Sequence, residues 1–228
     1  MKIFSLCAFV LAALVTAEAR RSFYLLGDST TEQAVDPIHG GWSYLLQQAY
    51  AADTDVLNRG VSCLNTRTFI ESKLPSVIEE FDHGLSPALI TLYLGTNDAT
   101  LVNGTHVSQH IDLPEYKSNL FFIVHQLQAH APAAEIVLVT PTVIDDQRRK
   151  WTDRSNTEAA KYAAACAEVG AKLEGKGVTL LNLYDYYVTN YPDREARARL
   201  SNDGIHFSRE GNAVMFQLLQ EIISKALQ

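Results

Sequence analysis

Four short stretches combine residue types that can carry out acyl transfer: Gly27-Asp28-Ser29-Thr30, Asn58-Arg59-Gly60, Gly95-Thr96-Asn97-Asp98 and Asp203-Gly204-Ile205-His206. A serine hydroxyl is a poor nucleophile until a base takes its proton, and His206 is the candidate base for Ser29. An imidazole in that role needs an acceptor on its second nitrogen, and Asp203 stands three residues earlier to supply one. Singly these stretches are weak, because a serine after Gly-Asp is commonly a turn or N-cap residue. Together, in this order, they form a strong signal, provided that the fold brings them to one place.

The elements between them can do so. Short β-rich runs at 22–26, 55–58, 88–94, 136–140 and 179–183 alternate with helical patterns at 41–52, 66–80 (broken near Pro75), 114–130, 154–173 and 210–227. The run at 88–94 is nearly all apolar, as expected of a parallel strand covered on both faces. Pro114 suits a first helical turn, and Leu120, Val124 and Leu127 share a face of that helix. Alternating strands and helices imply an α/β fold with a parallel sheet and right-handed crossovers. In such sheets chemistry lies beyond the carboxyl ends of the strands, and three of the four stretches directly follow a strand.

The N-terminus reads differently. Lys2 precedes an apolar run over 3–15 and then Thr16-Ala17-Glu18-Ala19, the pattern of a secretory signal peptide cleaved after Ala19. The run is too short to span a bilayer, which takes about 20 residues. Residues 1–19 are therefore expected to be a signal, and 20–228 one soluble, exported domain without membrane insertion. The 228 residues carry 47% hydrophobic residues and a net charge of −7. That composition excludes wholesale disorder, and with no basic cluster longer than Arg148-Arg149-Lys150 it argues against nucleic acid as a partner.

The four stretches closely resemble the marker blocks of the SGNH (GDSL-type) hydrolase superfamily. The resemblance covers nearly the whole of 20–228 and is strongest to the isoamyl acetate-hydrolysing esterase-like branch. It rests on Leu57-Asn58-Arg59-Gly60, Asn65-Thr66-Arg67, the segment from Gln109 to Tyr116, and Asp203-Gly204-Ile205-His206-Phe207-Ser208. It implies a three-layer, flavodoxin-like fold with a five-stranded parallel sheet of order 2-1-3-4-5 and helices on both faces. It further implies catalysis by Ser29, Asp203 and His206 without a cofactor or metal. The oxyanion donors it implies are the Ser29 and Gly60 amides and the Asn97 side chain. A glycine at 60 suits that assignment, since a side chain there would obstruct the oxygen. No Gly-x-Ser-x-Gly elbow occurs, so the chain is not an α/β-hydrolase.

The chain departs from the branch in three places. After Gly60 the branch usually has Ser-Gly-Tyr, and here the residues are Ser62-Cys63-Leu64. Cys63 is expected to be a small buried space-filler beside the oxyanion loop. Thr140-Pro141-Thr142-Val143-Ile144 has fewer prolines than the branch tends to carry, and in relatives this loop helps line the acyl pocket. Thr30 replaces a usual Leu or Ile and is expected to pack behind Ser29.

With Cys7 lost in the signal, Cys63 and Cys166 remain. The implied strand order sets the middle helix of one face between them, beyond disulfide reach, so two buried free thiols are expected. His106 and His110 have i,i+4 metal-ligand spacing, but their loop-like flanks argue against zinc. Asn103-Gly104-Thr105 is an N-glycosylation sequon, and Arg148-Arg149-Lys150 reads as a solvated loop.

The sequence therefore points to an exported serine esterase for small, short-acyl esters such as acetates, with no insertion long enough for a lipase lid. A carbohydrate deacetylase stays open and would be favoured by an aromatic platform, for which Trp42 and Trp151 are the only tryptophans. A thioesterase and a secreted binding protein without turnover are the other readings.

Overall fold

The computed structural model describes residues 20–148 and 153–227. The expected signal at 1–19 and the residues Arg149, Lys150 and Trp151 lie outside them. Strands β1 (Arg21–Gly27), β2 (Thr54–Asn58), β3 (Leu89–Tyr93), β4 (Glu135–Val139) and β5 (Val178–Leu181) form one sheet. All its pairings are parallel and its order is β2-β1-β3-β4-β5, as expected.

Period-two alternation along the strands sends side chains to opposite faces, and both faces are covered. On one face Tyr24, Leu26, Ile90, Leu92, Ile136 and Leu138 pack under three helices. On the other, Phe23, Leu25, Leu89, Tyr93, Val137 and Val139 do the same. This explains why the strands read as continuous apolar runs.

The helices are α1 (Ser29–Glu32), α2 (Trp42–Ala49), α3 (Thr66–Thr68), α4 (Leu74–Asp82), α5 (Leu113–His130), α6 (Asn156–Leu173), α7 (Leu183–Asn190), α8 (Arg194–Ala198) and α9 (Arg209–Ala226). α4, α5 and α6 cover the first face, and α2, α7 and α9 the second. The break near Pro75 takes a definite form. Pro75 sits in the first turn of α4, and the five residues Phe69–Lys73 before it form a π-helical turn. A proline ring clashes with the preceding turn and lacks a donor, so the chain widens rather than continuing as α-helix.

Helices α7 and α8 are not foreshadowed by the pattern. Arg148 is exposed, as expected of a solvated loop, and its guanidinium donates to the carbonyls of Ala198 (2.7 Å) and Ser201 (2.8 Å). Those bonds help fix the segment that leads to His206.

Candidate active site

β1 ends at Gly27, where the chain must turn tightly. A Cβ on Gly27 would lie 2.1 Å from Thr31 Oγ1 and 2.7 Å from the Tyr93 carbonyl. Asp28 then caps α1, its Oδ1 accepting from the Thr30 amide (2.9 Å) and the Thr30 hydroxyl (2.8 Å). Satisfying those orphan donors fixes the turn and leaves Ser29 at the first helical position. Thr30 is buried behind it, and its carbonyl accepts from Trp42 Nε1 at 3.3 Å.

The base arrives from the far end of the chain. Ser29 Oγ and His206 Nε2 are 2.9 Å apart, and His206 Nδ1 lies 2.8 Å from Asp203 Oδ2. Asp203 Oδ1 also accepts from the amides of His206 (2.8 Å) and Ile205 (3.0 Å), so the carboxylate folds its own loop around itself. Burial works against the Asp203 charge. The His206 ring and backbone bonds, the His206 charge and the Ile205 amide outweigh it and hold the carboxyl well below the usual carboxylate range. A short antiparallel bridge between Ser201 and Phe207 closes the base of the loop.

Asn97 follows β3. Its Nδ2 donates to the Leu64 carbonyl at 2.8 Å and lies 3.4 Å from Asp28 Oδ2, while its Oδ1 accepts from Arg154 Nη2. Ser29, Cys63, Thr96, Asn97, Arg154 and His206 are among the residues lining one crevice of about 230 Å³.

Gly60, expected to be an oxyanion donor, is not among the residues that line this crevice. Its amide is committed to Asn58 Oδ1 at 2.9 Å. Its lack of a side chain answers a packing need, because a Cβ would stand 2.3 Å from the Glu32 amide nitrogen and 2.7 Å from the Thr31 carbonyl carbon. The residues of that loop that reach the crevice are Ser62 and Cys63, and Cys63 is the one non-glycine residue with positive φ (67°) among the described residues. Neither the Ser29 nor the Cys63 amide donates a hydrogen bond to another group among the described residues. Cys63 is exposed, so the expectation of a buried space-filler is wrong for it. Cys166 is buried in α6, and both thiols are free.

Several crevice residues carry no sequence signal. Arg154 reads as the start of a helix, but α6 begins at Asn156, capped by Ser155 Oγ. Ahead of that cap the Arg154 side chain turns into the crevice wall. His106 and His110 do not converge: His106 Nδ1 lies 3.1 Å from Asp153 Oδ2, and His110 Nδ1 lies 2.6 Å from the Thr100 carbonyl. Trp42 is fully buried and offers no platform to a sugar. Asn103 is exposed in the loop after β3.

A parallel sheet of this order, with a serine after β1, an asparagine after β3 and a histidine loop meeting at its carboxyl edge, defines a hydrolase of the SGNH type. The chain belongs to the GDSL-like lipase/acylhydrolase family, whose model matches residues 25–214, and it is a carboxylic ester hydrolase of that class. It is 34% identical over 211 residues to a GDSL esterase/lipase of Arabidopsis thaliana, covering 87% of this chain and 83% of the relative. It is 31% identical over 212 residues to the human isoamyl acetate-hydrolyzing esterase 1 homolog, covering 88% and 80%. The crystal structure of an acetylxylan esterase from Geobacillus stearothermophilus superposes with a TM-score of 0.69 at 18% identity, covering 89% of this chain and 94% of that one. At that identity the likeness is one of fold. Among the described residues no helix is long and apolar enough to cross a membrane.

Proposed function

We propose that this chain is an exported serine esterase that hydrolyses small, short-acyl esters through an acyl-enzyme on Ser29. The observation that carries the reading is the continuous line Ser29 Oγ–His206 Nε2–His206 Nδ1–Asp203 Oδ2, with contacts of 2.9 and 2.8 Å. His206 takes the Ser29 proton as Oγ attacks the ester carbonyl carbon. The tetrahedral oxyanion is held by the Ser29 and Cys63 amides and by Asn97 Nδ2, the Cys63 amide standing where Gly60 was expected. His206 then protonates the departing alkoxide, which leaves as the alcohol. Water, deprotonated by the same imidazole, hydrolyses the acyl-serine and regenerates the hydroxyl.

The size of the crevice supports the short-acyl preference. It encloses about 230 Å³ beside Ser29, Asn97, Ile205 and His206. Each buried methylene is worth about 0.8 kcal/mol, and a long chain would run out of so small a space into solvent, where its further methylenes gain nothing. Export rests on the signal-like segment at 1–19, with Asn103 then available for glycosylation.

The test is hydrolysis of p-nitrophenyl esters from C2 to C12, and of acetylated sugars, by wild type, Ser29→Ala and His206→Ala. The expected result is activity falling with chain length in wild type and lost by at least 10³-fold in both variants. An inert wild type, or a Ser29→Ala variant at wild-type rate, would overturn the esterase mechanism. A preference for C8 and above would overturn the short-acyl assignment alone. N-terminal sequencing of secreted material should begin at Arg20, and an intact Met1 would refute export.

A further inference from the structure

We propose that Arg154 is the positioning residue for the oxyanion donor Asn97, holding its side-chain amide in the one orientation that presents Nδ2 to the crevice. The proposal rests on the reading of Asn97 given above and names what makes that reading work.

An asparagine amide is nearly symmetrical in shape and opposite in chemistry at its two ends. A half-turn about its last torsion would face the developing oxyanion with a carbonyl oxygen instead of an N–H, replacing stabilisation by repulsion. Asn97 therefore needs partners that can tell its ends apart. The Leu64 carbonyl, which only accepts, takes one Nδ2 hydrogen at 2.8 Å. The Arg154 guanidinium, which only donates, takes Oδ1. The second Nδ2 hydrogen has only a long contact, 3.4 Å, with Asp28 Oδ2, and the flipped amide would set Oδ1 against two acceptors and Nδ2 against the Arg154 donor.

Arg154 is itself held rigidly enough for this task. Its Nε donates to the Thr96 carbonyl at 2.9 Å and its Nη2 also donates to Gln109 Oε1 at 2.8 Å. Its Nη1 pairs with Asp153, a fully buried carboxylate. Arg154 thus grips both Thr96 and Asn97, the two residues over which the chain turns into the site after β3. Its side chain is only 7% exposed, so its charge acts in a poorly screened environment. A cation bonded to Oδ1 also draws electron density from the amide, making Nδ2–H a stronger donor. Both effects act on the transition state and little on substrate binding, which predicts a loss in kcat with KM nearly unchanged.

The experiment is a double-mutant cycle on p-nitrophenyl acetate with Arg154→Lys, Asn97→Ala and the pair, each checked for folding by its melting curve. Lysine keeps the charge and cannot reproduce the planar fork. Asn97→Ala is expected to lower kcat by about 10²–10³. Arg154→Lys is expected to lower kcat at least tenfold with KM within threefold, and to cost less than twofold once Asn97 is alanine. Arg154→Gln provides the same comparison if the lysine variant does not fold. In wild type the two Asn97 Nδ2 protons should give separate, persistent NMR signals, which should broaden or exchange faster in the Arg154 variant. An Arg154 variant with wild-type kcat, or one whose cost is the same in both backgrounds, would overturn the positioning role. An Asn97→Ala enzyme at full rate would instead overturn the oxyanion reading beneath it.

Discussion

The Gly60 amide donates to the side-chain oxygen of Asn58 two residues earlier, at 2.9 Å. Asn58 Nδ2 in turn donates to the Thr31 carbonyl at 2.6 Å, so this asparagine ties the end of β2 to the helix that begins with Ser29. Gly60 is there to let the two backbones meet. The amide proposed as the oxyanion donor comes three residues later, at Cys63, which lines the crevice, and substitutions at the two positions should behave differently.

Cys63 carries a side chain at φ 67°, a region that costs an ordinary residue about 1–2 kcal/mol. Cys63→Gly keeps the N–H and removes the strain. Its melting temperature should match or exceed that of wild type, with kcat within twofold. Cys63→Val should be destabilised and slow, because a β-branched residue is a poor fit at positive φ. Gly60→Ala should lose stability through its clash with α1. Equal losses of kcat in Cys63→Gly and Cys63→Val would show that the thiol, and not the backbone, matters.

The two thiols should differ sharply in reactivity. Cys63 is exposed at the crevice, whereas burial pushes the Cys166 thiol up to about 12. Iodoacetamide on the native protein should modify one cysteine, identified by mass as Cys63, and slow ester hydrolysis by crowding the crevice. A second equivalent should react only under denaturant. Equal native reactivity of both residues would contradict the burial of Cys166.

Asp203 gives the stability curve a direction. A carboxyl whose folded value lies below its unfolded value contributes stability above about pH 4 and loses it as pH falls through the folded value. The melting-temperature gap between wild type and Asp203→Asn should be full at pH 5 and above and should close towards pH 2. At neutral pH Asp203→Asn should also lower kcat by roughly 10³–10⁴, because the imidazole loses its orienting acceptor. A gap that widens in acid would reverse the sign of the shift.

Ile205 sits between two spaces. It lines the catalytic crevice and also a neighbouring cavity of about 150 Å³ walled by Val143, Ile144, Leu200 and Phe207 among others. Ile205→Ala should join them, at a stability cost of about 2–4 kcal/mol. The ratio of C6 to C2 ester turnover, as kcat/KM, should then rise by about tenfold. An unchanged chain-length profile would show that the acyl group does not approach Ile205.

What could be read from the sequence follows the strength of local physics. Strands of unbroken apolar residues such as 88–94 are unambiguous, and the observed β3 (Leu89–Tyr93) falls within that span. Helix α7 hid because Leu-Tyr-Asp-Tyr-Tyr-Val-Thr is rich in residues that favour strands. The blocks holding Ser29, Asn97 and His206 stood out because they are short and chemically specific, and the fold brings the three residues to one crevice. Arg154 was not, because an arginine beside a helix start has an ordinary surface reading, and only the packed fold shows its side chain turning inward. The donor proposed at Cys63 in place of Gly60 was hidden for the same reason. Glycine advertises a special backbone, and nothing in a cysteine announces positive φ.

The separation of 177 residues between Ser29 and His206 also bears on time. Asp203 and His206 can meet within one turn of chain, but the serine joins them only after α9 has docked on α2. Trp42 and Asn212 mark that docking with a backbone-to-side-chain bond of 3.2 Å. Contacts this distant close late, because their entropy cost is recovered only after local structure has formed. Regained ester hydrolysis after dilution from denaturant should therefore lag the return of helical signal. In this protein turnover serves as a clock for the last step of assembly.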